Sequence, residues 1–328
     1  MPRMAAIFVS GTALARAASL LAAAALVTAC VTLTHEPRAL LERDDGTIEV
    51  QTLACGPRIA NELRASRMSA EGPPRGANSA SSVGSAAARA ASVGGTHTTQ
   101  KGLDPDALRI VSWNIHKQGD AGWQRDLRSL GAASDVVLLQ ETVLDAQLRQ
   151  LIADSGLRWV MASSFLHADI DIGVLTAARV APLAACTQRV VEPLLRLPKS
   201  SVITWFALRD RADTLAVVNV HAINFSLSLG AYRAQFGAIG DALAAHTGPL
   251  ILAGDLNTWT VARAQVVREV ARRLGLTEVP FAADRRSVFF GHQLDHIYVR
   301  GLALVASSAT EVTSSDHNPV AATLRDAR

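Results

Sequence analysis

Leu250-Ile251-Leu252-Ala253-Gly254-Asp255-Leu256-Asn257 is the stretch on which the reading of this chain turns. Its four leading apolar residues read as a buried strand. Gly254 lets the backbone turn where a side chain would collide. Asp255 and Asn257 follow two apart, so on an extended backbone both project to the same side. A carboxylate and an amide on the rim of a buried strand suit the handling of a water or a metal ion. A plain strand-end turn would use the same residue types, so the rest of the chain has to decide.

Other strands end in the same way. Arg109-Ile110-Val111-Ser112-Trp113-Asn114 alternates apolar and polar residues and carries Asn114 near its end. Val136-Val137-Leu138-Leu139-Gln140-Glu141 is apolar until it closes on Glu141, a carboxylate that is costly there unless paired or metal-bound. Ser201 to Leu208 is a further strand, entered through Lys199. Leu215 to His221 is a buried strand ending in His221, which Ala222 to Ser226 is expected to continue. Gln293 to Val299 carries Asp295 near its start, and Ser315-Asp316-His317-Asn318-Pro319 turns into a final strand. An Asp such as Asp295 can hold an imidazole in one tautomer and favour its charged form. Between the strands, Trp123–Leu130, Asp145–Ile152, Tyr232–Leu243 and Val261–Leu274 have helical spacing. The last carries Arg263, Arg268, Arg272 and Arg273, either a solvated face or a track for phosphates. Lysine is scarce, at 101, 117 and 199 only, which singles out Lys199, with Arg196 on the preceding turn, as a phosphate contact.

Composition narrows the class. The 328 residues carry a net charge of +3, and the pI is about 9.0. Residues 106–328 hold 22 Lys+Arg against 21 Asp+Glu, so that part shows no clustered positive footprint of a nucleic-acid binder. Cys30, Cys55 and Cys186 have no zinc spacing; outside the cytoplasm Cys55 and Cys186 either pair or remain two isolated thiols. Arg3 and Arg16 precede the apolar run Ala17–Val27, too short to span a membrane, and Val27-Thr28-Ala29-Cys30 follows. This resembles the lipobox of bacterial lipoproteins, in which the signal is cut before a cysteine that is then lipidated. Val31 at the next position favours the outer membrane. The expected address is therefore extracytoplasmic, held by a lipid on Cys30 without spanning the bilayer; a start codon placed too far upstream would instead leave the protein in the cytoplasm. Residues 31–64 form an N-terminal extension in which Ile48–Leu53 alternates like an edge strand. Residues 65–105, rich in Ala, Ser, Gly and Pro, read as a flexible linker.

The set of polar strand ends, in this order, is far more specific than any one of them. Asn114, Glu141 in Leu-Gln-Glu, Gly254-Asp255-Leu256-Asn257, Leu294-Asp295-His296 and Ser315-Asp316-His317 resemble the endonuclease/exonuclease/phosphatase superfamily over residues 106–328. Leu195–Ser200, Val218–Leu227 and Ala253–Trp259 resemble its YafD-like bacterial branch; Leu256 stands where the family more often has Phe. The resemblance implies a four-layer α/β sandwich of two packed mixed sheets with helices outside. It implies Glu141 as main ligand of Mg²⁺ or Mn²⁺, with Asn114 beside it and Asp316 near a second or alternate position. Asp255 would orient or deprotonate the attacking water, helped by Asn257. His317, steadied by Asp295, would contact the scissile phosphate, and His221 would stabilise the phosphorane or protonate the leaving group. The expected activity is phosphodiester hydrolysis by a monomeric enzyme, with nucleic acids and phospholipid head groups, as in sphingomyelinases, both open as substrates. A lipoprotein that kept the fold as a non-catalytic binding module is the other reading.

Overall fold

The computed structural model describes residues 31–33, 37–43, 45–55, 102–226 and 228–328. The signal segment with Cys30, and the linker up to residue 101, lie outside the described residues. The larger sheet is built from β1 (Val31–Thr32), β2 (Arg38–Glu42), β3 (Ile48–Gln51), β4 (Leu108–Asn114), β5 (Val136–Val143), β6 (Arg158–His167), β7 (Ile170–Ala178), β16 (Leu302–Ala309) and β17 (Val320–Asp326). Its order is β16-β17-β4-β5-β7-β6-β2-β3, with β1 pairing the end of β6. The second sheet takes β8 (Ala184–Val191), β9 (Pro198–Ala207), β10 (Thr214–His221), β11 (Leu250–Asp255), β12 (Thr277–Glu278) and β15 (Asp295–Arg300), in the order β12-β15-β11-β10-β9-β8. β13 (Val288–Phe289) and β14 (His292–Gln293) make a separate hairpin. Both sheets are mixed: β4 runs parallel to β5 and β10 parallel to β11, while their other neighbours are antiparallel.

Why β11 is apolar throughout follows from what covers it. Leu250 and Leu252 pack with Tyr232, Phe236 and Val267 of the helices α3 (Gly230–Leu243) and α4 (Val261–Arg273). Ile251 and Ala253, one step out of phase, pack with Ile110, Leu138 and Leu324 of the other sheet. With period two and both faces covered, every position must be apolar. The larger sheet repeats the scheme: Val111, Trp113, Val137 and Leu139 meet α1 (Trp123–Ala133) and α2 (Ala146–Asp154), while Ile110, Val136 and Leu138 face the second sheet. The layers are therefore helices, sheet, sheet, helices, the sandwich expected from the sequence.

One polar clip crosses the apolar interior. Gln140 donates to Asn219 Oδ1 at 2.7 Å and to Ser112 Oγ at 3.1 Å, and Asn219 donates to the carbonyls of Leu139 and Leu175. Directional bonds between buried amides fix the register of two sheets that greasy contacts alone would let slide.

The ends of β10 and β5 differ by two residues or more from the sequence reading. β10 stops at His221, and 222–226 does not continue it. Its backbone groups have other partners: the N–H groups of Asn224 and Phe225 donate to Glu192, that of Ile223 donates to Gln235, and Arg263 donates to the carbonyls of Ile223 and Asn224. β5 runs past Glu141 to Val143. The N-terminal extension adds β1 to β3 at the far side of the larger sheet, with Ile48–Gln51 as the edge strand. Cys55 and Cys186 are joined by a disulfide, 131 residues apart in sequence, which ties the extension to β8. Closing so long a loop restricts the unfolded chain by about 5 kcal/mol. Reduction in calorimetry is expected to lower Tm by roughly 10 °C; an unchanged Tm would show the bond to be thermodynamically idle. Among the described residues no helix is long and apolar enough to cross a membrane.

Candidate active site

The alternation that builds the core also builds the site. In β4, β10, β11 and β15 the positions facing the other sheet are Ile110, Val217, Ile251 and Ile297. Counting in twos along each strand reaches Asn114, His221, Asp255 and Asp295, all buried. His221 pairs with Asp255, and Asp255 with Asp295, across three adjacent strands. The inner faces of both sheets thus change from apolar to polar at one end of the sandwich, where the strands run out.

Glu141 obeys a different rule. By alternation it would point with Leu139 toward the helices. The register between β5 and β7 slips between Leu139 and Thr142, and Glu141 has φ of +51°. A bulge with a left-handed residue re-aims one side chain, and here it places the Glu141 carboxylate in the site. Asn257 is likewise left-handed, at φ +49°. Such conformations store strain and cluster where function holds them.

The contacts converge. Asp255 Oδ2 accepts from Asn114 Nδ2 at 3.1 Å and from Asn257 Nδ2 at 3.3 Å, and its Oδ1 accepts from the Asn257 N–H at 3.1 Å. His221 Nε2 stands 3.5 Å from Asp255 and 3.7 Å from Glu141, so the two carboxylates flank one imidazole nitrogen. Lys199 Nζ is 2.9 Å from the same nitrogen and 3.8 Å from Glu141. Lys117, from a left-handed run His116-Lys117-Gln118, pairs with the other Glu141 oxygen. His317 Nδ1 bonds Asp295 Oδ2 at 2.8 Å, and its Nε2 lies 3.9 Å from Asp255. Ser315 fixes this turn on β4 by donating to the Asn114 carbonyl at 2.6 Å. Asp316 sits on the open rim, 60% exposed, with His116 Nδ1 at 3.9 Å. Arg196 is exposed on the turn before β9, its N–H bonded to the Glu192 carbonyl.

Burial and charge set the protonation states. Burial raises the Asp255 carboxyl; the His317 charge opposes that rise and Asp295 adds to it, leaving the group above the ordinary carboxylate range. Burial also works against charge on His317, but Asp295 and Asp255 outweigh it and raise the imidazole to about 10. His221 goes the other way: burial, then the Lys199 ammonium, hold it well below 6.5 and therefore neutral. For Glu141 burial is overcome by Lys117 and Lys199, which keep it ionised far below the usual range.

Several residues that serve the site gave no sign in the sequence. Arg263 does not belong to a solvated basic face. It is 2% exposed, lies over the rings of Trp259 and Tyr232, and donates to the carbonyls of Ile223, Asn224 and Asn257. Glu192 is buried beneath the same loop. Behind Asp295, His296 bonds Thr258 and Glu278, and Arg286 reaches both Glu278 and the Asp295 carbonyl. Lys117 had the one legible signal, the scarcity of lysine, that also pointed to Lys199.

The three residues expected as ligands offer oxygen atoms, of the kind a hard divalent cation takes; Glu141 is paired with Lys117 and Lys199, and Asp316 stands beside His116. Asp255, Asp295 and His317 also bring ligand atoms within 4.8 Å of one another. There, however, the 2.8 Å bond already commits Asp295 to His317, while His317 Nε2 stands 3.9 Å from Asp255.

The sequence profile of the Endonuclease/Exonuclease/phosphatase family matches residues 111–317, and the chain belongs to that family. Within it, its relatives are UPF0294 proteins, the YafD-like branch. It is 41% identical over 215 residues to one from Yersinia pseudotuberculosis, covering 66% of this chain and 82% of the relative. It is 38% identical over 232 residues to one from Vibrio parahaemolyticus, covering 69% and 82%. Among solved structures, a mannosyl-6-phosphatase of Bacteroides thetaiotaomicron superposes with a TM-score of 0.53 at 17% identity, over 66% of this chain and 99% of that one. The human Nocturnin catalytic domain, solved with a bound sulfate, gives 0.51 at 17% identity, over 69% and 96%. At such identities these two establish the fold alone.

Proposed function

We propose that this protein is a divalent-metal-dependent phosphodiesterase that works outside the cytoplasm. What carries the reading is the meeting of Asp255, Glu141, His221 and the His317–Asp295 pair at one mouth, from segments spread over the whole family domain. Glu141, Asn114 and Asp316 would hold Mg²⁺ or Mn²⁺. When bound, the ion supplies charge neutralisation on the phosphate and on the departing oxygen.

The chain's own residues do the rest. Asp255, held by two amides, orients the attacking water and takes its proton; a carboxyl raised toward neutrality is better matched to that task. His317, kept cationic by Asp295, donates to a non-bridging phosphate oxygen. Lys199 brings a second positive charge beside neutral His221, and that pair faces the oxygen that leaves. Asn114 and Asn257 hold Asp255 in place.

Release of p-nitrophenol from bis-p-nitrophenyl phosphate is expected with Mg²⁺ and to stop with EDTA. Chelator-insensitive hydrolysis would defeat the metal assignment. Absence of turnover together with Mg²⁺ binding would favour a binding module. The pH profile supplies a second check. Activity should appear as pH rises past the raised Asp255 pKa and fade as His317 loses its proton near 10. Asp295→Asn removes the main influence holding His317 charged, so burial prevails and the alkaline limb should move to lower pH. An unmoved limb would free His317 of its assigned role.

The address rests on the lipobox pattern at Cys30 and is supported by the Cys55–Cys186 bond, since disulfides persist in oxidising compartments. Growth with labelled palmitate should tag the protein, and Cys30→Ala should abolish the tag.

A further inference from the structure

The strand map fixes where the chain enters the fold. Val31, the residue after Cys30, pairs with His167 at the end of β6. His167 pairs with Ile170 across the hairpin, and Ile172 pairs with Val143, two residues beyond Glu141. Consecutive Cα atoms are about 3.8 Å apart. The described chain therefore begins at the end of the larger sheet that carries Glu141, one peptide bond from the cysteine of the lipobox pattern.

The same end of the molecule is apolar on its surface. Leu194, on the turn before β9, is 57% exposed, and Phe290, at the tip of the β13–β14 hairpin, is 75% exposed. Val288 and Phe289 flank that tip, and Phe225 and Val261 stand between the two, exposed as well. These loops form one rim. Glu192 holds the Phe225 N–H, Asn224 accepts from Trp259 Nε1 at 3.0 Å, and the Trp259 ring lies 6.2 Å from that of Phe290 and 6.3 Å from that of Phe289. The rim is rooted beside the catalytic groups, because the Leu256 N–H donates to the carbonyl of Leu294 at the foot of the hairpin. Ile170, beside the anchoring strand, is exposed too. At the far end the exposed apolar side chains are Leu183, Leu304 and Val305, none of them aromatic.

We infer that the mouth of the active site seats against a phospholipid bilayer, and that the scissile phosphodiester lies in the head-group layer. The substrate half of this rests on the phosphodiesterase reading above; the docking half does not. Exposed apolar residues gathered on one face mark an interaction surface. Valine and leucine interleaved with phenylalanine suit acyl chains, whereas bases need aromatic platforms and a basic groove. With 22 Lys+Arg against 21 Asp+Glu, residues 106–328 carry no surplus of positive charge to favour a nucleic-acid backbone.

The test places a tryptophan reporter at each end of the full chain. Phe290→Trp marks the rim and Leu183→Trp the opposite end, both at exposed positions. Each is mixed with phosphatidylethanolamine–phosphatidylglycerol vesicles with and without brominated acyl chains, and the unsubstituted chain is subtracted. Phe290→Trp should lose emission to the bromolipid, Leu183→Trp should not, and the loss should persist at high salt. Equal loss at both ends, or none at either, overturns the docking. So does loss of Phe290→Trp emission on adding a DNA or RNA oligonucleotide while vesicles leave it unchanged. Bis-p-nitrophenyl phosphate turnover read on the same samples separates the two readings. Quenching without turnover retires the enzyme and keeps the docking; turnover without quenching does the reverse.

Discussion

Asp255→Asn is expected to lower kcat by roughly 10²–10⁴-fold, the usual worth of a positioned general base, while the protein stays folded. The two effects separate because the carboxylate is a burden to the fold. Burial raises its pKa, so the folded state binds this proton more tightly than the unfolded chain does. For a carboxyl shifted upward, stability falls as pH rises through the window between its ordinary pKa, about 3.9, and the raised one. The neutral amide removes that penalty. It also gives up an oxygen that accepts from Asn114 and Asn257, a loss of about 1 kcal/mol in the other direction. Urea unfolding on both sides of the window should show the variant gaining on the wild type as pH rises. Full activity in Asp255→Asn would remove the base from the mechanism.

Gly254→Ala is expected to cost roughly 4 kcal/mol or more, at the far end of what single substitutions do. A Cβ on Gly254 would lie 2.0 Å from the Val220 carbonyl oxygen, and the residue has φ of +141°. Gly254 and Val220 are partners in the β10–β11 ladder, so room can be made only by parting the strands that align His221 with Asp255. Activity should fall with stability. Gly46 is the control: its φ is also positive, at +78°, but nothing stands within 4 Å of its Cβ position, so alanine there should cost about 1 kcal/mol. Similar losses at both positions would mean that backbone freedom alone, not the close approach, accounts for Gly254.

The layers and most of the site were legible because one rule governs both. A strand with both faces covered must be apolar until it leaves the core, so a polar residue at its end is conspicuous. Asn114, His221, Asp255 and Asp295 were found in this way. Glu141 was singled out as a strand-end carboxylate, but nothing in Leu-Gln-Glu-Thr announces the bulge that turns it toward the other site residues. Arg263 was hidden because an arginine on a basic helix looks the same whether it faces water or the carbonyls of a loop, and only the tertiary partner decides. The β13–β14 hairpin escaped because two-residue strands have no period to read. The disulfide was left open between two equal outcomes, since a pair of cysteines says nothing of distance until the chain is folded.

That covalent link has a use at the bench. Any cut of the main chain between Cys55 and Cys186 leaves two polypeptides that still travel together. A protein nicked within residues 56–101 should run as a single species on a non-reducing gel and as two pieces after thiol treatment. Strands β1 to β3 would then be held by their ladder hydrogen bonds, by Leu40 packed in the core and by the Arg38–Asp171 ion pair, and their release or retention measures how firmly the outer strands grip the larger sheet.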